Sequence, residues 1–267
     1  MTSSVRRLAL AGASVLVFED AEDACRVAAE RMAATVGECV GARGKAVLGL
    51  ATGVTPVPIY RRIVALHRAG GLSFERVTSY NLDEYYPIHP SDPKSYRAYM
   101  HRHLFAHVDL APDHAHVLDG TVPEAFAAAH AAEFERWIAA DGGLDLQLLG
   151  LGRNGHIGFN EPSDLSVEAA LKLSTRLVSL HPVTRADAAK DFGGDEAKVI
   201  PRALTLGVAP ILAARSVLIL ALGANKADAV ARALTGPVTA QVPASLLQTV
   251  PGRVTWMLDG AAAAGLS

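Results

Sequence analysis

The chain has 267 residues, half of them apolar and 19% charged, with a formal net charge of −2. Such a chain is too apolar to be disordered and long enough to bury a substantial core. Its balanced charge, with no cluster of Lys and Arg among aromatics, argues against a nucleic-acid partner. No stretch reaches the roughly 20 continuous apolar residues of a membrane span, so no membrane partner is expected. Cys25 and Cys39 have neither metal-ligand nor disulfide spacing, which fits a reducing, cytoplasmic compartment.

In chain order, the first element has two readings. Arg6 and Arg7 precede an apolar run at 8–18, the outline of a secretory signal, but no small-residue cleavage site follows. The preferred reading is a strand at 14–18, followed by a helix at 21–40 with Asp20 as its N-cap. Further strands are expected at 46–51, 77–82, 144–151, 217–223 and 254–258. Helices are expected at 56–69, 95–105, 123–140, 203–213 and 226–234, with the Gly-rich 191–196 as a surface loop. The runs AVLGLA, LDLQLLGLG and VLILALG lack polar alternation, as strands covered on both faces do. Alternation of buried strands with helices predicts an α/β fold: a single doubly wound, mostly parallel sheet with helices on both faces, Rossmann-like, in one domain over 1–267.

In such sheets ligands sit outside the carboxyl ends of the strands. Four polar segments fall there. Thr52-Gly53-Val54-Thr55-Pro56 follows AVLGLA; Thr55 is expected to cap the next helix, with Pro56 in its first position, which would present free amides to a phosphate. Asp83 and Glu84 close the strand VTSYNL and should point to opposite faces; either one is a general base while the other meets a cation or solvent, or the two are surface carboxylates that cap a turn. GRNGHIGFNEP, residues 152–162, follows LDLQLLGL; glycines flank His156, and Asn154 and Glu161 are near enough to orient its ring or couple to its charge. No second His or Cys lies at ligand spacing, so no metal is expected. Lys226 opens a helix after VLILALG, with Asn225 as a possible N-cap; a cation there opposes the helix dipole and makes more sense beside a bound anion.

Together LGLATGVTPVPIY, SYNLDEYYPIHPSDPKSYRAYMHRHLF, LDLQLLGLGRNGHIGFNEP and GANKADAVARALTGPVTAQVPASLLQ resemble the glucosamine-6-phosphate deaminase (isomerase) family. The resemblance runs from the first helix to Gln248, and the pairing of NLDEY with GHIGFNEP is its specific part. It implies a hydrolase that converts glucosamine 6-phosphate and water to fructose 6-phosphate and ammonium without metal or organic cofactor. Its partner would be a small amino-sugar phosphate, and a homo-oligomer stays open. Asp83 matches the carboxylate that moves a proton between C2 and C1. His156 matches the ring-opening acid/base, Glu161 the carboxylate that works with it, and Asn154 stands where some members carry Asp. Thr52, Gly53, Thr55 and Lys226 match phosphate-binding positions, while Lys190 falls where several members place a phosphate-binding Arg.

Other departures are Gln248 where a His is usual and a short C-terminus after it, which together imply no strong allosteric activation by an amino-sugar phosphate. The alternatives are a deaminase of another amino-sugar phosphate such as galactosamine 6-phosphate, a 6-phosphogluconolactonase, or a non-catalytic sugar-phosphate sensor. A lactonase resembles the family in fold and phosphate loop but lacks the FNEP continuation. A sensor would need a DNA-reading module ahead of the first strand.

Overall fold

The computed structural model describes residues 5–266. An eight-stranded sheet runs in the order β1-β2-β11-β10-β7-β3-β4-β6. Its strands are β1 Arg6–Leu10, β2 Ala13–Phe18, β3 Ala46–Leu50, β4 Val77–Asn81, β6 Ala115–His116, β7 Leu146–Gly150, β10 Ser216–Ala221 and β11 Val254–Asp259. All neighbours pair in parallel except β1, which folds back on β2. Every residue of β3 and β4 is buried, which matches the absence of polar alternation in AVLGL and confirms the mostly parallel α/β reading.

The helices are α1 Ala21–Arg43, α2 Val57–Arg68, α3 Tyr96–His103, α4 Glu124–Ala140, α5 Val167–Leu171, α6 Pro182–Ala188, α7 Val208–Ala213 and α8 Ala227–Thr235. The Asp20 side chain caps α1 by accepting from the Asp23 amide at 2.8 Å, as expected. Small residues on the buried face of α1 (Ala24, Cys25, Ala28, Ala29), spaced at helical period, let it lie close to the sheet. No described helix is long and apolar enough to cross a membrane.

The strand expected at 14–18 is present as β2, and β1 pairs with it in a hairpin turned by Ala11 and Gly12 at φ 48° and 75°, the two positive values of a tight two-residue turn. Two expectations are corrected. The expected helix at 203–213 divides into β9, Arg202–Thr205, and α7. Ala203, Leu204 and Thr205 are fully buried in a strand between two others, a tertiary demand that overrides local helix preference. And a second sheet, unforeseen, joins β5 (Asp83–Tyr86), β9 and β8 (Arg176–Ser179) in antiparallel order β5-β9-β8.

That second sheet positions the site. The chain leaves the large sheet at Asn81 and enters the small one at Asp83, with Leu82 between. Leu82 donates its amide to Leu50 of β3 at 3.0 Å and accepts from the amide of Leu206 at 2.7 Å, so the junction is pinned to both sheets. The small sheet thereby stands over the carboxyl ends of β3, β4 and β7.

Candidate active site

A cleft of about 400 Å³ opens at this junction and is lined by Thr52, Gly53, Thr55, Asp83, His156, Lys190 and Lys226 among others. Seven of the nine candidate residues therefore meet in one place, although they come from five separate segments. Asn154 and Glu161 do not line it; they stand behind His156.

Asp83 is 5% exposed and forms no ion pair among the described residues. Burial, with the neighbouring Glu84 charge adding to it, raises its pKa to about 8 against the smaller opposing effect of a hydrogen bond from Thr52. Glu84 points the other way, as strand alternation requires. It meets neither a cation nor solvent. Its buried carboxylate accepts from the amides of Tyr85, Tyr96 and Arg97 and from the Ser95 hydroxyl at 2.7–3.0 Å, so it caps the start of α3 together with Ser95. The pair thus separates into one acid in the cleft with little to offset its burial and one whose four hydrogen bonds oppose, without cancelling, the upward pull of burial on its pKa.

His156 is held from behind. Its Nδ1 lies 2.7 Å from Asn154 Oδ1, 3.2 Å from Thr184 Oγ1 and 3.3 Å from Glu161 Oε2. Asn154 donates its Nδ2 to the same Glu161 oxygen at 2.9 Å. A carboxylate can only accept, so an ionised Glu161 turns the Asn154 amide nitrogen toward itself and the amide oxygen toward the ring. Nδ1 then carries the proton, and Nε2 has its lone pair free on the cleft side. Glu161 is kept ionised: burial raises its pKa, but the hydrogen bond and charge of His156, with Thr184 and Asn154, outweigh burial and bring it to about 2. Gly152 makes room for this ring, since a Cβ there would lie 2.2 Å from His156 Nδ1.

The loop expected to bind phosphate lines the cleft, and the expected cap is corrected. Thr55 does not cap α2: Pro56 occupies the cap position and no side chain bonds the first amides. The loop is instead fixed through its carbonyls, which accept from Tyr60 (to Ala51, 2.5 Å) and Tyr99 (to Gly53, 2.6 Å). This leaves the amides at the start of α2 without side-chain partners, a stronger invitation to an anion than a capped end. Asn225 is not a cap either; it lies in a single 3-10 turn, and Lys226 itself precedes α8. Burial lowers the Lys226 pKa, Arg153 and Lys190 lower it further, and Asp187 opposes them. An anion in the cleft would reverse that shift.

Thr184, Tyr96 and Tyr99 have no place among the expected residues. Tyr96 lines the cleft and stacks on Phe159, with centroids 6.2 Å apart, and Tyr99 holds Gly53. Their i, i+3 spacing in KSYRAYM was a usable signal for one shared helix face. Thr184 carries no such signal, because only the fold brings α6 to the ring.

The chain matches, over residues 19–256, the family described as glucosamine-6-phosphate isomerases/6-phosphogluconolactonase. It is 42% identical over 235 residues to glucosamine-6-phosphate deaminase 2 of Bacillus subtilis, covering 88% of this chain and 90% of that one. It is 46% identical over 236 residues to glucosamine-6-phosphate deaminase of Rhodopirellula baltica, with the same coverage. The solved structure of a monomeric glucosamine-6-phosphate deaminase superposes with a TM-score of 0.86 at 37% identity, covering 94% of this chain and 99% of that chain. A 6-phosphogluconolactonase from Trypanosoma brucei shares the fold, with a TM-score of 0.75 at 19% identity over 95% of this chain and 98% of that chain. Match, identity and superposition agree with the cleft that precedes them: the chain belongs to the glucosamine-6-phosphate isomerase/6-phosphogluconolactonase family.

Proposed function

We propose that the chain is a glucosamine-6-phosphate deaminase acting in the cytoplasm on a small amino-sugar phosphate, without metal or organic cofactor. The observation that carries this reading is the joint presence, in one cleft, of a buried Asp83 with raised pKa and a His156 whose Nε2 is free, beside an anion-binding wall.

The wall would hold the phosphate through the amides after Gly53 and through Lys226 and Lys190, so that binding energy remote from the reaction fixes C1 and C2. His156 takes the anomeric hydroxyl proton on Nε2 and returns it to the ring oxygen, which opens the pyranose. The imidazolium formed on the way is stabilised by Glu161, since Asn154 can orient the ring but carries no charge. Asp83 takes the proton from C2 and delivers it to C1, while O1 gains the proton that the amine gives up, leaving a C2 imine beside a C1 alcohol. Water adds to that carbon and ammonia departs as ammonium, giving fructose 6-phosphate. A carboxylate with a pKa near 8 is a stronger base than one at 4, which suits removal of a proton from carbon. Lactone hydrolysis needs no such base.

The test is release of ammonium and fructose 6-phosphate from glucosamine 6-phosphate, run beside galactosamine 6-phosphate and 6-phosphogluconolactone. Turnover of the first is expected to exceed that of the other two by at least an order of magnitude. Equal or greater turnover of either rival would overturn the assignment.

A further inference from the structure

A second cavity, of about 650 Å³, adjoins the cleft across the Gly53–Val54 backbone and the Lys190–Asp191 segment, whose residues line both. Its charged lining is one-sided: Arg61 from α2, Lys94 and Arg102 from the α3 region and Lys190 face the single carboxylate of Asp191. None of the four cations forms an ion pair among the described residues. Arg102 donates only to the Pro93 carbonyl at 3.1 Å, and Lys94 donates to the Asp191 carbonyl while lying 5.4 Å over the Phe192 ring. Some arginines of this chain do find carboxylates, as Arg62 does with Glu22 and Arg202 with Glu124. Unpaired cations converging on a concavity have a mutual cost that an anion would relieve. His103, on the same wall, reports that field: after burial, Arg102 and Arg61 are the next causes that hold its pKa down.

We propose that this antechamber is a second anion subsite, in which Arg61 and Arg102 receive a phosphate monoester before it passes Lys190 into the cleft. This rests on the deaminase reading for the identity of the monoester, not for the existence of the subsite. The two arginines present fixed donor forks suited to phosphate oxygens, whereas Lys190, shared by both cavities, offers a flexible point charge able to follow the group from one to the other. The direction of transfer follows from burial. Arg61, Arg102 and Lys190 are exposed, while Lys226 is half-buried and releases more when its charge is matched.

The probe is inorganic phosphate, titrated into the whole protein by calorimetry. Two classes of bound phosphate are expected for wild type. Arg61→Gln/Arg102→Gln should lose one class, and Lys226→Gln should lose the other and keep the first. Both arginines are exposed, so the double variant should retain the wild-type melting temperature. In turnover, its kcat should be unchanged, while its kcat/KM at low salt falls by about ten-fold and loses much of its dependence on ionic strength. A single phosphate class in wild type, or a double variant with wild-type phosphate binding, overturns the subsite even if turnover is normal. Two classes that follow the variants as described, in a protein that turns over no amino-sugar phosphate, would leave the subsite standing and defeat the deaminase reading.

Discussion

Two carboxylates, the buried Asp83 in the cleft and the half-buried Glu161 behind His156, sit in surroundings that drive their pKa values apart, to about 8 and about 2. Both lose solvent. Glu161 regains what it loses, from His156, Thr184, Asn154 and the His181 amide at 3.3 Å. Asp83 has Thr52 to set against burial and the adjacent charge of Glu84. The loop after β7 is therefore arranged to hold a permanent negative charge that organises a histidine. The start of β5 is arranged so that a negative charge on Asp83 is unwelcome. Environment, not residue type, assigns the two roles.

The contrast is broken most severely at Asp83. Asp83→Asn should lower kcat by about 10³-fold or more, within the range of a lost general base. The same change should raise stability, and the sign follows from linkage: a folded-state pKa of about 8 against an unfolded 3.8 means that ionised Asp83 opposes folding. The two proteins should melt alike near pH 3, and the variant should gain over wild type as pH rises from 4 to 8. Thermal melts across that range check it; a variant less stable at pH 8 would sink the account of Asp83.

The His156 side can be broken without touching a titratable group. Gly152→Ala puts a methyl group into the imidazole position, so the ring must move, and kcat/KM should fall by about 10²-fold with thermal stability little changed. A crystal structure of that variant with the ring in place, or unaltered kinetics, would remove the geometric argument. The smallest effect is expected from Glu161→Gln, about ten-fold in kcat, because Gln retains hydrogen bonds but frees the orientation of Asn154 and with it the ring tautomer. Since the folded pKa of Glu161 lies below its unfolded 4.5, its contribution to stability is present above that value and lost as pH falls toward 2. The stability difference between wild type and this variant should therefore shrink over that interval, as denaturant titrations would show.

Much of this architecture could be read from residue order. The unbroken apolar runs of β3, β7 and β10 state that both faces are covered, and the polar segments that follow them fall at the carboxyl ends where ligands sit. Asp83, His156 and Lys226 were legible for that reason. The small sheet was not. β8 and β9 are four residues each, and in ALTLGVAP the apolar spacing suits a helix as well as a strand; only pairing with β5 decides between them. Caps misled in the same way, because Thr55 and Asn225 are common cap residues whose use depends on where the chain turns. Thr184 lay beyond reach altogether, being 28 residues from the histidine it touches.

The junction at Leu82 has a consequence for tolerance. Because one residue carries the chain from the large sheet to the small one, and backbone hydrogen bonds tie it to both, Asp83 takes its coordinates from the two layers at once. Any change that slides one layer against the other, however distant, moves Asp83 relative to His156, which sits in the loop after β7. Substitutions deep in the packing between the sheets should therefore register first as lost turnover and only later as lost stability, and attempts to evolve the substrate pocket will do best in the loops that stop short of that joint.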